Sequence, residues 1–385
     1  MSGTIVVTAA TSPLGRRVCT LAAADPGIER VVAVDRPALA GALTELVRGT
    51  RGAPVEARPI ELSDPELKAV CAGVTTVIHL GDTAPLDRPA DALDGTGSAM
   101  HLVEGSAHLF DAAAASGVRQ LVVLSSAMVY GAWPNNPIPL TEDAPLRPAP
   151  ELPFAVAKAE IERRAGEWRA DQPGGADQPG GADRPGRPGG ADHLADVAVA
   201  ILRPAIAVGP ESVGWLGRSP WNSTGLRVED VVEPPSQFVH LDDLAAAVDH
   251  ARRHRLDGPY NVAPDGWIPA EALRDLSGPA PRLRLPAALA ERIASVRWRL
   301  GLTGTPPSVL PYTMYSWVVA NDRLRATGWQ PTHTNEMAFV DADRVGPLTG
   351  LDPRRRQLLS LGVGAAVVAG VGGGVALVVR RLRRR

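Results

Sequence analysis

The chain has 385 residues, enough to bury one large hydrophobic core or two smaller ones. Its formal net charge of -2 gives no reason to expect a nucleic-acid partner. Its two cysteines, Cys19 and Cys71, lack metal-ligand spacing, so we expect both to be buried as small apolar side chains. The N-terminus lacks a basic segment followed by a long apolar one, which predicts no signal peptide and a cytoplasmic body.

Strands and helices are predicted to alternate up to about residue 204. The predicted strands read TIVVTAA, RVVAVD, APVEARPIEL, TTVIHLG, RQLVVLSS and DVAVAILRP. Continuous apolar runs of this kind are typical of a parallel sheet that is covered on both faces. With alanine-rich helical stretches between them, they predict an α/β fold, a Rossmann-type doubly wound parallel sheet over residues 1–204.

The first strand leads into VTAATSPLGRR, where a dinucleotide-binding turn would carry three glycines. Their positions hold Ala9, Ser12 and Gly15, so only the glycine at which the helix packs on the strand is present. The Cβ of Ala9 makes a positive φ costly, and Ser12 narrows the approach to phosphate, although its hydroxyl can itself donate a hydrogen bond. The predicted cofactor contacts in this segment are Thr8, Ala9, Ser12, Pro13, Leu14 and Gly15.

The second strand ends at Asp35, whose carboxylate could accept hydrogen bonds from the adenosine ribose hydroxyls. A carboxylate there repels a 2′-phosphate, which predicts NAD as the cofactor in preference to NADP. The neighbouring Arg36 weakens this preference without reversing it. The alternative interpretation is a turn aspartate that merely ends the strand.

Two segments depart from this alternation. Residues 170–192 repeat ADQPGG-like units, which cannot bury a core and indicate a low-complexity surface insertion. Residues 205–340 are richer in proline and predict a small C-terminal substrate lobe that is interleaved with the sheet. Such a lobe is expected to lie over the carboxyl ends of the strands, where these sheets bind ligands.

The C-terminus carries an uncharged run at residues 358–379, after a linker at 341–357 and before the basic residues 380–385. As a helix, its 22 residues would extend ~33 Å, which predicts a transmembrane or membrane-associated hydrophobic tail helix. A glycine-rich tail without membrane contact is the alternative. A single span would send the terminal arginines across the membrane, against the positive-inside tendency, whereas a helix lying on anionic headgroups would not.

Several phrases together resemble the extended short-chain dehydrogenase/reductases, in the NAD-dependent epimerase/dehydratase group. The phrases are ELSDPELKAVCAGVTTVIHL, SGVRQLVVLSSAMVYG, VAILRPAIAVGP, QFVHLDDLAAAV, GPYNVA and LRATGWQP. They are specific for the family and not for one substrate, so the resemblance implies an oxidoreductase or epimerase-like activity on an unknown small molecule. A homodimer is compatible with it.

The resemblance also assigns roles to individual residues. Members use a serine or threonine that binds the reacting oxygen, a tyrosine as acid and base, and a lysine that binds ribose and lowers the pKa of the tyrosine. These positions hold Ser126, Phe154 and Lys158, with the last two on one face of a predicted helix. Glu61 replaces an adenine-side aspartate, and the resemblance adds Leu62 and Leu80 as cofactor contacts. Tyr130 is expected in the pocket wall.

Phe154 is the departure that matters most, because a phenyl ring has no proton to give or take. Two hypotheses follow: an NAD-dependent enzyme with an unusual proton route, or a catalytically inactive nucleotide-binding sensor or scaffold at the membrane.

No metal site is predicted. His250 and His254 are four residues apart on a predicted helix, but no third ligand is indicated, and His240 is expected to be structural.

Overall fold

The computed structural model describes residues 3–81, 95–172, 197–211, 226–228, 232–277, 283–299 and 306–342. The strands are β1 Gly3–Thr8, β2 Ile28–Asp35, β3 Val55–Pro59, β4 Val74–His79, β5 Gln120–Leu124, β6 Ala198–Pro204, β7 Ile206–Val208, β8 Leu226–Val228, β9 Phe238–His240, β10 Gly258–Val262 and β11 Leu283–Leu285. The α-helices are α1 Pro13–Ala23, α2 Ala40–Gly49, α3 Leu67–Val70, α4 Gly95–Ala115, α5 Pro153–Asp171, α6 Leu241–Arg253, α7 Ala270–Ser277, α8 Ala287–Arg299, α9 Asp322–Ala326 and α10 Asn335–Asp341. Short 3-10 helices occur at Pro37–Leu39, Ala127–Tyr130 and Pro307–Thr313.

Two of the predicted segments fall outside this range. Most of the low-complexity insertion and all of the predicted tail helix at 358–379 belong to residues that the structure does not describe. Within the described ranges, no helix combines the length and the apolar character needed to cross a membrane.

The centre of the fold is a seven-stranded parallel sheet in the order β10-β6-β5-β4-β1-β2-β3. Its first six strands in chain order coincide with the six predicted apolar runs, which confirms the predicted α/β class. The seventh strand, β10, comes from the region beyond residue 205 and pairs with β6 in parallel at the sheet edge. Pro259 is tolerated in β10 because an edge strand needs hydrogen bonds on one side only.

Successive side chains of each strand point to opposite faces of the sheet and pack into two separate hydrophobic cores, one on each face. Ile5 and Val7 of β1 join a cluster that contains side chains of α1 and α6, whereas Val6 joins a cluster with α4 and α5. Cys19 lies in the first cluster and Cys71 in the second, both as buried thiols. Burial raises the pKa of Cys19 to about 12 and that of Cys71 to about 11, as expected for inert structural thiols.

A third cluster belongs to the segment after β5 and to the later part of the chain. It includes the 3-10 helix Ala127–Tyr130, the β7–β9 pair and α10, where the rings of Phe238 and Phe339 lie 4.9 Å apart. Tyr312 donates a hydrogen bond to Met128 O at 2.9 Å. This cluster therefore fixes the backbone that follows β5, where Ser126 is located.

Candidate active site

The candidate site lies where β1, β2, β4 and β5 end, because the carboxyl ends of parallel strands meet at one edge of the sheet. A cleft of about 440 Å³ opens beside this edge. It is lined by Ala9, Val34, Asp35, Arg36, Ile60, Glu61, Leu62, Ser63, Gly81, His101, Leu102, Glu104 and Gly105. Of the predicted cofactor contacts, Ala9, Asp35, Glu61 and Leu62 therefore line one cleft.

In the turn between β1 and α1, Ala9 adopts the positive φ that its Cβ makes costly. Ala9 has a φ of 51°, in the left-handed region that favours glycine. At Gly15 a Cβ would lie 2.2 Å from Ala9 O, so only glycine fits where α1 meets the turn.

The hydroxyl of Ser12 is occupied within the turn, which corrects the idea that it is available to phosphate. Ser12 Oγ accepts from Gly15 N at 2.9 Å as the N-cap of α1, and it donates to Ala9 O at 2.7 Å. Pro13 follows and has no backbone N–H. The N-terminal end of α1 thus offers fewer free donors than a glycine turn would, while Leu14 is buried against the core.

The variant Ala9→Gly is expected to stabilise the protein, because glycine adopts a φ of 51° without the steric cost that the Cβ imposes. Left-handed backbone costs ~1–2 kcal/mol at a non-glycine residue, partly offset by the greater freedom of glycine in the unfolded chain. Chemical denaturation would show a raised free energy of unfolding. Ala10→Gly, at the neighbouring buried position, should destabilise instead; stabilisation by both variants would contradict the strain.

Asp35 is 4% exposed, and the residues that hold its carboxylate include Thr11 and Arg36. Thr11 donates to Asp35 Oδ2 through its amide at 2.9 Å and its hydroxyl at 2.7 Å, and Arg36 N donates to Oδ1 at 3.0 Å. The fixed negative charge at the cleft wall favours ribose hydroxyls over a phosphate there.

Thr8 and Leu80 meet at the ends of β1 and β4. Thr8 Oγ1 accepts from Leu80 N at 3.2 Å, donates to Gly81 O at 3.2 Å, and lies 3.0 Å from His79 Nδ1. His79 Nε2 lies 2.8 Å from Ser106 Oγ. Burial, with a contribution from the charge of Lys158, lowers the pKa of His79 to about 3, so the imidazole is neutral. Sequence reasoning missed His79; its only signal was its place at the end of a strand.

Helix α5 places Phe154 and Lys158 one turn apart beside β5. Lys158 is 5% exposed, and its Nζ donates to Leu124 O at 2.7 Å and lies 5.8 Å from the centroid of the Phe154 ring. A Cβ on Gly81 would lie 3.2 Å from the same Nζ, so this amine reaches the ends of β4 and β5 together. Burial lowers the pKa of Lys158 to about 8, against a smaller opposing influence of Glu162.

The two serines after β5 have different partners. Ser126 is partly buried, and its Oγ accepts from Met128 N at 3.2 Å as the N-cap of the 3-10 helix, which leaves its O–H able to donate. The buried Ser125 hydroxyl donates a short hydrogen bond to the carboxylate of Glu162. Ser126 is therefore the serine whose hydroxyl can serve a ligand.

Behind these serines lies a buried polar network that the sequence did not reveal. Arg203 Nη2 lies 2.6 Å from Glu162 Oε2, and Arg203 Nη1 donates to Tyr130 Oη at 2.8 Å. Tyr130 Oη donates in turn to Asn261 Oδ1 at 2.8 Å, and the side chain is fully buried. The expectation that Tyr130 forms the pocket wall is therefore wrong, because its hydroxyl is used inside the protein. Burial raises its pKa to about 12.

These features fit a dinucleotide. The cleft has a carboxylate at the end of β2, and its wall is formed where Leu62 packs against Gly105 of α4, since a Cβ there would lie 2.9 Å from the Cβ of Leu62. The amine of Lys158 lies at the ends of β4 and β5 and is a hydrogen-bond donor. Asp35, Glu61 and Leu62 would hold the adenosine half, and Lys158 the opposite end.

The chain is similar to several known proteins. A 3-diazoavenalumate denitrifying reductase of a Streptomyces species is 31% identical over 316 residues, which cover 76% of this chain and 88% of that protein. A UDP-N-acetylglucosamine 4-epimerase from Methanobrevibacter ruminantium, in complex with UDP-N-acetylmuramic acid, has the same fold with a TM-score of 0.60 at 16% identity, covering 89% of this chain and 98% of that one. The UDP-glucose 4-epimerase of Thermus thermophilus in complex with NAD also gives a TM-score of 0.60 at 20% identity, covering 91% and 100%.

Residues 5–211, more than half of the chain, match the sequence profile of the NAD dependent epimerase/dehydratase family. This match covers the strained turn, Asp35, Ser126 and Lys158, and it confirms both the resemblance and, at the level of the family, NAD as the cofactor. With its sheet order and cleft, the chain belongs to the NAD dependent epimerase/dehydratase family.

Proposed function

We propose that the protein is an NAD(H)-dependent reductase whose hydride acceptor requires no proton from helix α5. The observation that carries this proposal is the pairing of a buried Lys158, hydrogen-bonded to Leu124 O, with Phe154 one turn before it. The half of the motif that holds a cofactor is present, and the half that donates a proton is replaced by a hydrocarbon ring.

Each side chain then has a definite task. Asp35 accepts ribose hydroxyls in the cleft, and Lys158, outside the cleft lining but beside Gly81, donates to the second sugar. Ser126 donates its hydroxyl hydrogen to a polar atom of the substrate. Phe154 excludes water from the same region and presents an apolar surface to an aromatic or aliphatic substrate.

The proton balance decides which acceptors suit this site. Bound reduced nicotinamide supplies a hydride. A carbonyl that gains a hydride becomes an alkoxide and must take up a proton, for which Phe154 provides no source. A diazonium group that gains a hydride is lost as dinitrogen and leaves a neutral C–H bond: R–N₂⁺ plus H⁻ gives R–H plus N₂. No proton is consumed in that step, so the missing hydroxyl carries no penalty.

The denitrifying reductase at 31% identity supports this class of substrate, because its name states a reduction of a diazo compound with loss of nitrogen. The apolar ring of Phe154 is compatible with the aryl group of such a ligand. We therefore infer an aromatic diazo compound as the substrate class.

The test has two steps on the purified full-length chain. Isothermal titration with NADH and NADPH comes first, and binding of NADH in preference is expected. Turnover is then measured with 3-diazoavenalumate and 4-methoxybenzenediazonium, each against an enzyme-free blank, beside acetophenone and benzaldehyde. We expect one NADH oxidised per dinitrogen released with the diazo probes and no turnover of the carbonyls.

A failure to bind either dinucleotide would overturn the proposal. Binding of NADH without turnover of any probe would instead support the non-catalytic nucleotide-binding alternative, which the strained turn at Ala9 and the internally bonded Ser12 favour. Ready reduction of both carbonyls by the unaltered protein would contradict the argument from Phe154.

We also propose that residues 358–379 attach the protein to membranes. This inference rests on the sequence, in which 22 uncharged residues lie between the Arg354–Arg356 cluster and a terminal cluster of arginines. Sedimentation with vesicles that contain anionic lipid should retain the full chain and release a chain truncated before Leu358. Equal behaviour of the two proteins would refute the attachment.

A further inference from the structure

We propose a binding site for a divalent transition-metal ion of the zinc class, formed by His240, Asp242 and His333. His240 ends β9 and Asp242 lies in the first turn of the helix α6 that follows directly, whereas His333 precedes α10, so two separate parts of the chain converge. One ligand atom from each of these side chains lies within 4.8 Å of the other two. Two imidazoles and a carboxylate form a donor set that Zn²⁺ prefers and that Mg²⁺ and Ca²⁺ do not.

Both imidazoles are oriented by carboxylates on one ring nitrogen. His240 Nε2 lies 3.2 Å from Asp341 Oδ2, and His333 Nδ1 lies 3.1 Å from Asp243 Oδ2. Metal-binding histidines usually have such a carboxylate partner, which fixes the tautomer and presents the second nitrogen to the metal. Here the second nitrogens are His240 Nδ1 and His333 Nε2.

His240 Nδ1 faces Asp242 in two ways. It accepts from Asp242 N at 3.1 Å as the N-cap of α6, and it lies 3.6 Å from Asp242 Oδ2. A metal ion bound at His240 Nδ1 would take the place of the hydrogen bond that this nitrogen accepts from Asp242 N. The carboxylate of Asp242 is already on the correct side of the ring to share the ion.

Only short movements separate this arrangement from a tetrahedral site. Ligand bonds of ~2.0–2.1 Å place neighbouring donor atoms ~3.3 Å apart around a tetrahedral zinc ion. Here one ligand atom from each of the three side chains lies within 4.8 Å of the other two. The rings of His240 and His333 stack at 4.0 Å with an angle of 22° between them. His240 is buried and fixed, whereas the His333 side chain is 26% exposed and Asp242 55% exposed, so these two can rotate toward the ion.

The surrounding charge favours a cation. Asp242, Asp243 and Asp341 contribute three carboxylates around the two imidazoles, and Glu211 lies nearby as a partner of Arg17. The cation that faces them is Arg17 of α1, which lies 2.5 Å from Asp242 Oδ1 and 2.6 Å from Glu211 Oε2. A metal on Asp242 would compete with Arg17, whose guanidinium keeps Glu211 as a partner.

The site would tie α6 to the segment that leads into α10. Thr332 and His333 already contact Asp243 through their backbone amides, at 2.9 Å each. A metal bound by side chains on both sides of this contact adds a cross-link between residues that are far apart in the sequence. Its expected effect is therefore on the stability of the folded chain, independent of the reductase proposal.

A second histidine pair in the same protein supplies a matched control. The rings of His250 and His254 lie 4.1 Å apart, nearly the same separation, and His250 Nε2 lies 2.9 Å from Thr327 Oγ1. Within the described ranges, the grouping of three ligand residues occurs at His240, Asp242 and His333 and not at this pair. Replacing His250 should therefore leave metal binding unchanged.

The experiment uses the untagged full-length protein after dialysis against EDTA. Calorimetric titration with zinc chloride is expected to show one equivalent bound, together with a zinc-dependent rise of Tm. The variants His333→Gln and Asp242→Asn should abolish the rise of Tm and weaken binding strongly. Asp341→Asn, which alters only the orienting carboxylate, should weaken binding ~10–100-fold, and His250→Gln should behave as the unaltered protein.

The results separate the alternatives. X-ray absorption at the zinc edge should show two imidazole nitrogens in the unaltered protein and in His250→Gln. Zinc binding that is unaffected in His333→Gln and Asp242→Asn, or lost in His250→Gln, would overturn the proposed site. Absence of stoichiometric binding to the correctly folded chain would overturn it as well. Circular dichroism of each metal-free variant establishes that it is folded.

Discussion

Phe154→Tyr is expected to give the protein an activity toward carbonyl compounds that the unaltered chain lacks. The new hydroxyl would stand on the ring that Lys158 Nζ approaches to 5.8 Å from the centroid, on the same helix face. A protonated amine lowers the pKa of a nearby phenol, because it stabilises the phenolate. General acid catalysis of this kind contributes ~10²–10⁴-fold, so reduction of acetophenone or benzaldehyde with NADH should rise by that factor above the background.

Two controls accompany this variant. Phe154→Leu removes the ring without adding a proton donor and should remain inactive on carbonyls. Adding Lys158→Met to Phe154→Tyr should lose most of the gain, because Lys158 then neither lowers the pKa of the tyrosine nor donates to the cofactor sugar. The proton-independent reduction proposed above should be nearly unchanged in Phe154→Tyr. If this variant folds, binds NADH and still reduces no carbonyl, Phe154 does not occupy the position of the proton donor.

Glu162→Gln is expected to lower the free energy of unfolding by ~3–5 kcal/mol. Its carboxylate forms a buried, bidentate ion pair with Arg203 and also accepts from Ser125, and the two side chains of the pair are only 3% and 7% exposed. Without the charge, the guanidinium of Arg203 remains buried and lacks its counterion. Denaturant unfolding monitored by tryptophan fluorescence measures the loss.

The matched control is Glu160→Gln on the same helix. Glu160 pairs with Arg163 and Arg164, but its side chain is 31% exposed, and exposed pairs contribute only ~0.2–1 kcal/mol. The double variant Glu162→Met with Arg203→Met removes both charges and should recover much of the lost stability. Equal losses from Glu160→Gln and Glu162→Gln would contradict the importance of burial.

The strands of the sheet could be predicted because their apolar runs are continuous. β1, β2 and β4 contain the apolar runs IVV, VVAV and VI, and such runs are typical of strands that are covered on both faces. β10 reads GPYNV, and glycine, proline and asparagine are unfavourable in strands. Its conformation comes from pairing with β6, which local sequence does not encode.

The candidate site was predictable to the extent that spacing defines it. Phe154 and Lys158 lie one helical turn apart, and Asp35 ends a strand, so their placement follows from regular structure. The hydrogen bonds of the Ser12 hydroxyl depend on the capping geometry at the start of α1, which spacing does not define. The Tyr130 hydroxyl is bonded to Arg203 and Asn261, which follow much later in the chain. His333 meets His240 only in the folded protein, so sequence spacing could not indicate a metal site there.

The position of β10 has a consequence for how the protein forms during synthesis. β6 can pair with β10 only after Val262 has left the ribosome. Helix α6, whose side chains share a core with those of α1, comes just before β10 in the chain. A nascent chain of about 204 residues therefore exposes one apolar face of α1 and one unpaired edge of the sheet, features that promote aggregation. We expect the first half of the chain to depend on chaperones until the later segment arrives.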